Sequence, residues 1–151
     1  MMIELRAIDN SNQDAVEQLE VFLHQTQYIA SNKKSLETAA CAEYSKIARP
    51  FAIYADGKMI GFTMFAFELD SPDPNDRYWL WRFMIDKHSQ GKGLGSAALK
   101  KIIAYFQAHG ATHILLSTKP TNTAALSLYY KYHFAETGEV NQGEIVLRLN
   151  L

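Results

Sequence analysis

The stretch Gln90-Gly91-Lys92-Gly93-Leu94-Gly95-Ser96 constrains this chain more than any other, because three alternating glycines join a β-rich run to an amphipathic helix. Glycine lets the backbone take left-handed conformations and approach another molecule closely. A helix starting directly afterwards presents free N–H groups at the positive end of its dipole. That combination is a cradle for an anion, in the first place a phosphate. An ordinary flexible strand-to-helix turn is the plainer alternative, but it needs no such regular glycine spacing. A nucleotide-hydrolysing loop has Lys and then Ser or Thr directly after its last glycine, whereas Gly95 is followed by Ser96-Ala97. A dinucleotide-binding turn needs Gly-x-Gly-x-x-Gly and an acid at the end of the next strand, which here reads Ser117-Thr118-Lys119. Both of those phosphate carriers are disfavoured.

The remaining chain supplies a core for this loop to sit on. Its 151 residues, 48% hydrophobic and only 21% charged, suit a single domain over 1–151 and exclude disordered and fibrous classes. Fifteen Lys and Arg against 16 Asp and Glu leave a net charge of -1, without the positive field that nucleic acid demands. One cysteine forms no internal disulfide, and the first residues carry acids where a signal peptide needs basic and then apolar ones, so a cytoplasmic protein is expected. The longest mainly apolar run, 59–67, falls far short of the ~20 residues that cross a bilayer, so no membrane association is expected.

Periodicity then orders the elements. Residues 3–8 alternate as a half-buried strand does, and a helix follows with Ala15, Val16, Leu19, Phe22 and Leu23 on one side. A second helix starts near Ser35, runs over 36–47 and stops before Pro50. Runs 51–55 and 59–67, joined by Asp56-Gly57-Lys58, read as a hairpin, and 78–85 is the third strand of the meander. The helix after the glycine loop buries Leu94, Ala98, Leu99, Ile102, Ile103 and Phe106 and ends at His109-Gly110, with Gly110 as its cap. A strand over 114–118, a helix capped by Thr121 or Asn122 and running through Tyr132, and a strand over 144–149 complete the order βααβββαβαβ. The class is α/β (α+β).

Gln90, Gly93 and Gly95 fill the pattern Gln-x-x-Gly-x-Gly, and Asn122, Ala125, Leu128, Tyr129, Lys131 and Phe134 fill Asn-x-x-Ala-x-x-Leu-Tyr-x-Lys-x-Gly-Phe. In these two signatures, at this separation and with this order of elements, the chain resembles the GNAT superfamily of N-acetyltransferases over essentially its whole length. Two positions depart from the pattern: Lys87 stands where the family usually has Pro, and His133 where it has Gly. The resemblance implies a mixed central sheet with helices on both faces, acetyl-CoA as cosubstrate and no metal. It also implies that backbone groups of Phe83, Met84 and Ile85 hold the pantetheine arm and polarise the thioester carbonyl. Amides from 91–96 would hold the diphosphate, Asn122 would cap its helix and bond the pantetheine, and Tyr129 would protonate the departing thiolate. Without that register Tyr129 reads as a core tyrosine beside Tyr130 and Tyr132.

The acceptor amine is mostly an ammonium at neutral pH and must lose a proton before attack. Many relatives carry a carboxylate on the strand before the glycine loop, but 78–83 contains no acid, which leaves Glu68, His24 or a water chain as candidates. Within the superfamily, Tyr28-Ile29-Ala30, the run 79–86 and Asn141-Gln142-Gly143-Glu144 resemble bacterial spermine/spermidine N-acetyltransferases, which implies a polyamine acceptor. A polycation suits carboxylates and aromatic walls. Acids cluster at Glu68, Asp70, Asp73 and Asp76 and at Glu136, Glu139 and Glu144, while Tyr28, Tyr44, Trp79 and Trp81 are candidate walls. An acetyltransferase of a protein amine or aminoglycoside and a non-catalytic acetyl-CoA or polyamine sensor are the alternatives. Family habit implies a homodimer. Cys41, between alanines, reads as a small buried packing residue rather than a nucleophile, and the histidines show no metal-ligand spacing.

Overall fold

Alternating side chains build the sheet, and the helices are laid on whichever face those side chains make apolar. The computed structural model describes residues 1–151. Seven strands form one mixed sheet: β1 (Ile3–Ala7), β2 (Ala48–Ala55), β3 (Lys58–Phe67), β4 (Tyr78–Ile85), β5 (His113–Thr118), β6 (Ala135–Asn141) and β7 (Glu144–Asn150), in the order β1-β2-β3-β4-β5-β7-β6. Four helices accompany them: α1 (Gln13–Gln18), α2 (Asn32–Ala40), α3 (Leu94–Ala108) and α4 (Thr123–Lys131). Every neighbouring pair is antiparallel except β4 with β5.

On one face Phe62, Met64 and Met84 pack with Val16 of α1, and Leu36 and Ala39 of α2 lie against them. On the other, Phe65, Phe67 and Leu80 meet Leu99, Ile102 and Phe106 of α3 and Leu126 and Tyr129 of α4. Helices therefore cover both faces, as expected. Trp81 interrupts the alternation: Met64 faces Arg82 and Phe65 faces Leu80, so Trp81 is an extra residue in β4. The bulge turns Trp81 toward the α1 and α2 side.

The element order is corrected by one strand, since β6 precedes β7 and the observed order is βααβββαβαββ, with seven strands rather than six. Every residue of β6 is exposed and Gly138 sits at φ +90, so no buried period marks it. Its hairpin turn is nonetheless written in the chain, with Gln142 at φ +51 and Gly143 at φ +81. Helix α1 is shorter than its apolar spacing suggested, because Leu19 turns extended at ψ 138. Helix α2 begins at Asn32, where the Ser31 side chain accepts from Lys34 N–H, and ends at Ala40. Cys41 is exposed beyond that end, not buried inside a helix. Strand β2 takes in Pro50, which is tolerated because β1 pairs only with residues 51–55 and leaves that end an edge. Helix α3 ends at Ala108, one residue earlier than a Gly110 cap requires: His109 is its cap and Gly110 follows at φ +82. His133 adopts φ +74, the left-handed conformation that the family's glycine takes without strain.

At Gly61 of β3 there is no room for a side chain beside β4: an added Cβ would lie 2.3 Å from the Met84 carbonyl oxygen. A Gly61→Ala substitution must push β4 outward, and we expect a loss of about 1–3 kcal/mol in folding stability. Urea unfolding should show a lowered midpoint with an unchanged slope.

Candidate active site

β4 and β5 share one paired position, Trp79 with Leu115, and part beyond it. β5 is paired along its full length with β7, and β4 with β3, so neither strand is left disordered by the separation. The result is a cleft of about 690 Å³ between them. From Leu80 to Ile85 the edge of β4 that faces this cleft has no partner strand, which leaves main-chain groups available to a ligand. Phe83, Met84 and Ile85 all line it.

The glycine loop closes one end. Gly91 and Gly93 adopt φ +76 and +78, and Gly93 is the left-handed residue on which α3 starts. None of the N–H groups of residues 91–96 donates to a main-chain acceptor, so they form the anion-ready end of a 15-residue helix. Gln90 braces the loop: its Nε2 donates to the Ile85 carbonyl at 2.9 Å and to Gln25 Oε1 at 2.9 Å, while Gln25 Nε2 donates back to Gln90 Oε1 at 3.0 Å. Asp86 accepts from Glu20 N–H at 3.0 Å and His88 N–H at 3.2 Å. At the Lys87 position, the backbone N–H donates to the Glu20 carbonyl at 2.9 Å and Nζ pairs with Glu20 at 2.9 Å. Proline would supply neither. These contacts hold the segment between α1 and α2 as a wall of the cleft, and Tyr28 spans the opening by donating to the Thr121 carbonyl at 3.1 Å.

Of the residues expected at the site, Phe83, Met84, Ile85, Gln90, Gly91, Gly95, Asn122 and Tyr129 line the cleft. Lys92, Gly93, Leu94 and Ser96 do not; their side chains are occupied elsewhere or absent, and any role there falls to their amides. Lys92 Nζ donates to the His88 carbonyl at 3.2 Å, Leu94 packs beside Ile53 and Ile60, and Ser96 pairs with the Tyr132 hydroxyl. Asn122 occupies the N-cap position of α4 without a side-chain capping bond, and its Nδ2 donates instead to Thr118 Oγ1 at 3.1 Å. Tyr129 is 9% exposed, and desolvation alone raises the pKa of its phenol well above the usual tyrosine value. Among the candidate aromatic walls, Tyr28, Trp79 and Trp81 line the cleft, and Tyr44 backs Trp81 edge-on at 5.2 Å.

Neither Glu68 nor His24 reaches the cleft. Arg82 and Glu144 do; the sequence offered Glu144 only as one of several acids for a polycation and gave Arg82 no role. Burial lowers the Arg82 pKa while the charge of Glu144 opposes that shift. Strand parity adds to the signal for Glu144: Ile145 and Leu147 belong to the α3 and α4 face, so Glu144 points to the other. No group of three or more His, Cys, Asp and Glu side chains is assembled for a metal, and no helix is long and apolar enough to cross a membrane.

Residues 9–134 of the chain that carries this splayed strand pair, unpaired β4 edge and glycine-started helix match a family model, Acetyltransferase (GNAT) family. The chain belongs to the GNAT family. It is an acetyl-CoA-dependent acyltransferase. Among curated proteins it is 38% identical over 97% of both chains to a probable spermine N(1)-acetyltransferase of Bacillus subtilis subsp. natto. It is 36% identical, with the same coverage, to the spermine/spermidine N(1)-acetyltransferase of Bacillus subtilis strain 168. This GNAT fold also superposes on the aminoglycoside acetyltransferase AAC(6')-Ib in complex with coenzyme A, with TM-score 0.77, 18% identity and coverage of 99% and 95% of the two chains.

Gln90→Ala removes the donor to the Ile85 carbonyl and strands the Gln25 amide. We expect a stability loss of about 1–3 kcal/mol and a raised KM for acetyl-CoA, read from urea unfolding and steady-state kinetics.

Proposed function

We propose that residues 1–151 form one catalytic domain that moves an acetyl group from acetyl-CoA to a primary amine of a polyamine such as spermine or spermidine. The observation that carries this reading is the aromatic path out of the cleft. Trp79 lines both the cleft and a second cavity of about 470 Å³ whose walls include Asp73, Asp76 and Glu139. A long polycation threaded along Trp79 meets an aromatic face and then carboxylates, the chemistry that favours ammonium groups. Two curated relatives named for spermine acetylation, alike along nearly their full lengths, support the same acceptor class.

The site fits a CoA thioester on its own geometry, through the free amides of 91–96 and the unpaired edge of β4. Bound there, acetyl-CoA supplies an activated acetyl group. The amides of Gly91, Lys92, Gly93, Leu94, Gly95 and Ser96 hold the diphosphate, and backbone groups of Phe83, Met84 and Ile85 hold the pantetheine and receive developing negative charge. Asn122, whose amide oxygen is uncommitted, bonds the pantetheine. Gln90 fixes the loop's position. Tyr129, held neutral by burial, donates its hydroxyl proton to the leaving sulfur.

The same reading puts the enzyme in the cytoplasm, with its substrates, and makes it a homodimer. The fully exposed edge strand β6, with Val140 68% exposed, supports the pairing. Light scattering should return twice the 17.1 kDa chain mass.

CoA release over a panel of polyamines, aminoglycosides and peptides tests the acceptor, with turnover of spermine or spermidine expected and its absence overturning the reading. Tyr129→Phe should lower kcat by about 10²-fold or more while CoA affinity stays unchanged. Because the folded phenol titrates above its ordinary value near ~10, kcat in the native enzyme should show no loss from Tyr129 ionisation up to about pH 10.

A further inference from the structure

The cleft contains a single carboxylate, Glu144, among its lining side chains. β7 presents Ile145 and Leu147 to the core under α3 and α4, so Glu144 faces the opposite side of the sheet, the side to which the β4 bulge turns Trp81. Tyr129 reaches the cleft from the α3 and α4 side. Acid and carboxylate thus approach the gap between β4 and β5 from opposite faces. Ser117 donates from Oγ to Glu144 Oε1 at 2.8 Å, which orients the carboxylate and leaves Oε2 without a partner. Across the gap, Arg82 is the one cation; it donates Nη1 to the Trp81 carbonyl at 3.0 Å, and its buried Nε has no partner. The other titratable groups lining the cleft are Tyr28 and Tyr129.

We propose that Glu144 is the catalytic carboxylate that binds the acceptor ammonium and takes its proton, with Ser117 as its positioning residue. This rests on the acetyl-transfer reading above and adds the base that β4 lacks. The ammonium gives one proton to Glu144 Oε2, and the freed nitrogen lone pair forms the new bond to the acetyl carbonyl carbon. The C–S bond breaks, the sulfur takes the Tyr129 proton, and the second proton lost by the nitrogen recharges Tyr129. Glu144 returns its proton to water, so an ammonium and a thioester become an amide, a thiol and one released proton.

Glu144→Gln keeps the side chain's size and an oxygen for Ser117 to bond, so its effect separates proton transfer from packing. It should lower kcat/KM for spermidine by about 10²-fold or more and abolish the acid-side limb of the pH profile, with the KM for acetyl-CoA unchanged within about twofold. Glu144→Asp should recover part of the activity, Ser117→Ala should cost less than Glu144→Gln, and Glu37→Gln on the exposed side of α2 should match the native enzyme. Activity of Glu144→Gln within about threefold of native, with the limb intact, overturns the proposal. Each variant is also assayed on the best acceptor of the amine panel. If spermidine is not turned over but another amine is, and that reaction collapses in Glu144→Gln, the polyamine reading fails and the base stands. If no amine turns over, calorimetry of spermidine with the CoA-saturated protein decides. At least about tenfold weaker binding by Glu144→Gln supports Glu144, while equal binding, or none by the native protein, overturns it.

Discussion

Everything at this site follows from two parallel strands that meet once and then separate. Parallel pairing is the weaker ladder, and here both strands have stronger commitments, β4 to β3 on one side and β5 to β7 on the other. The extra residue at Trp81 adds twist to β4 just after the Trp79 and Leu115 pair, so the ladder has no reason to continue. What remains is an edge of unpaired backbone inside a folded sheet. Such an edge elsewhere invites aggregation, but here it is walled by α4 on one side and by the segment between α1 and α2 on the other. That edge keeps free the hydrogen-bonding groups that β5 gives up.

That opening passes between two faces with different chemistry. The α3 and α4 face is apolar and carries Tyr129, whose phenol burial keeps protonated and therefore a donor. The opposite face carries the polar set, Ser117, Glu144 and Arg82, with Trp79 and Trp81 beside them. An anionic cosubstrate and a cationic acceptor can thus enter from separate directions and meet only at the gap. The near-neutral total charge of the chain is consistent with such a division, since opposite fields on two flanks cancel in the sum.

The wall opposite α4 is built from little regular structure. Between α1 and α2 the backbone is held by Asp86, Lys87 and Gln90, each anchored within or beside the glycine loop. The loop with the free amides therefore also sets the position of the wall opposite α4. Lys87 shows how a departure from the family pattern is absorbed, because its N–H and ammonium tie the loop to Glu20 in a way no proline can. His133 shows the opposite case: it takes glycine's left-handed backbone and keeps the turn that delivers Phe134 to the core, at a conformational cost.

Local patterns carried much of this in the sequence alone. The glycines at 91, 93 and 95 before an amphipathic helix announced the anion cradle, because left-handed backbone and unpaired helix amides are properties of adjacent residues. Alternation located β1, β-rich runs beside turn signals located β2, β3 and β4, and a short apolar run located β5, while two motifs in register pointed to Tyr129, which lines the cleft from within the core. Strand β6 was not legible because it buries nothing, and α1 and α2 shifted because tertiary contacts of the wall outweigh weak helical spacing. Glu144 looked like one surface acid among several. Only the tertiary structure decides its place, since its facing depends on the pairing of β7 with β5 and its neighbours on a gap opened by β4, far away in the chain. Backbone conformation is dictated by neighbouring residues and can be read along the chain; which charge faces which cleft depends on strand pairing across it, and that no local pattern records.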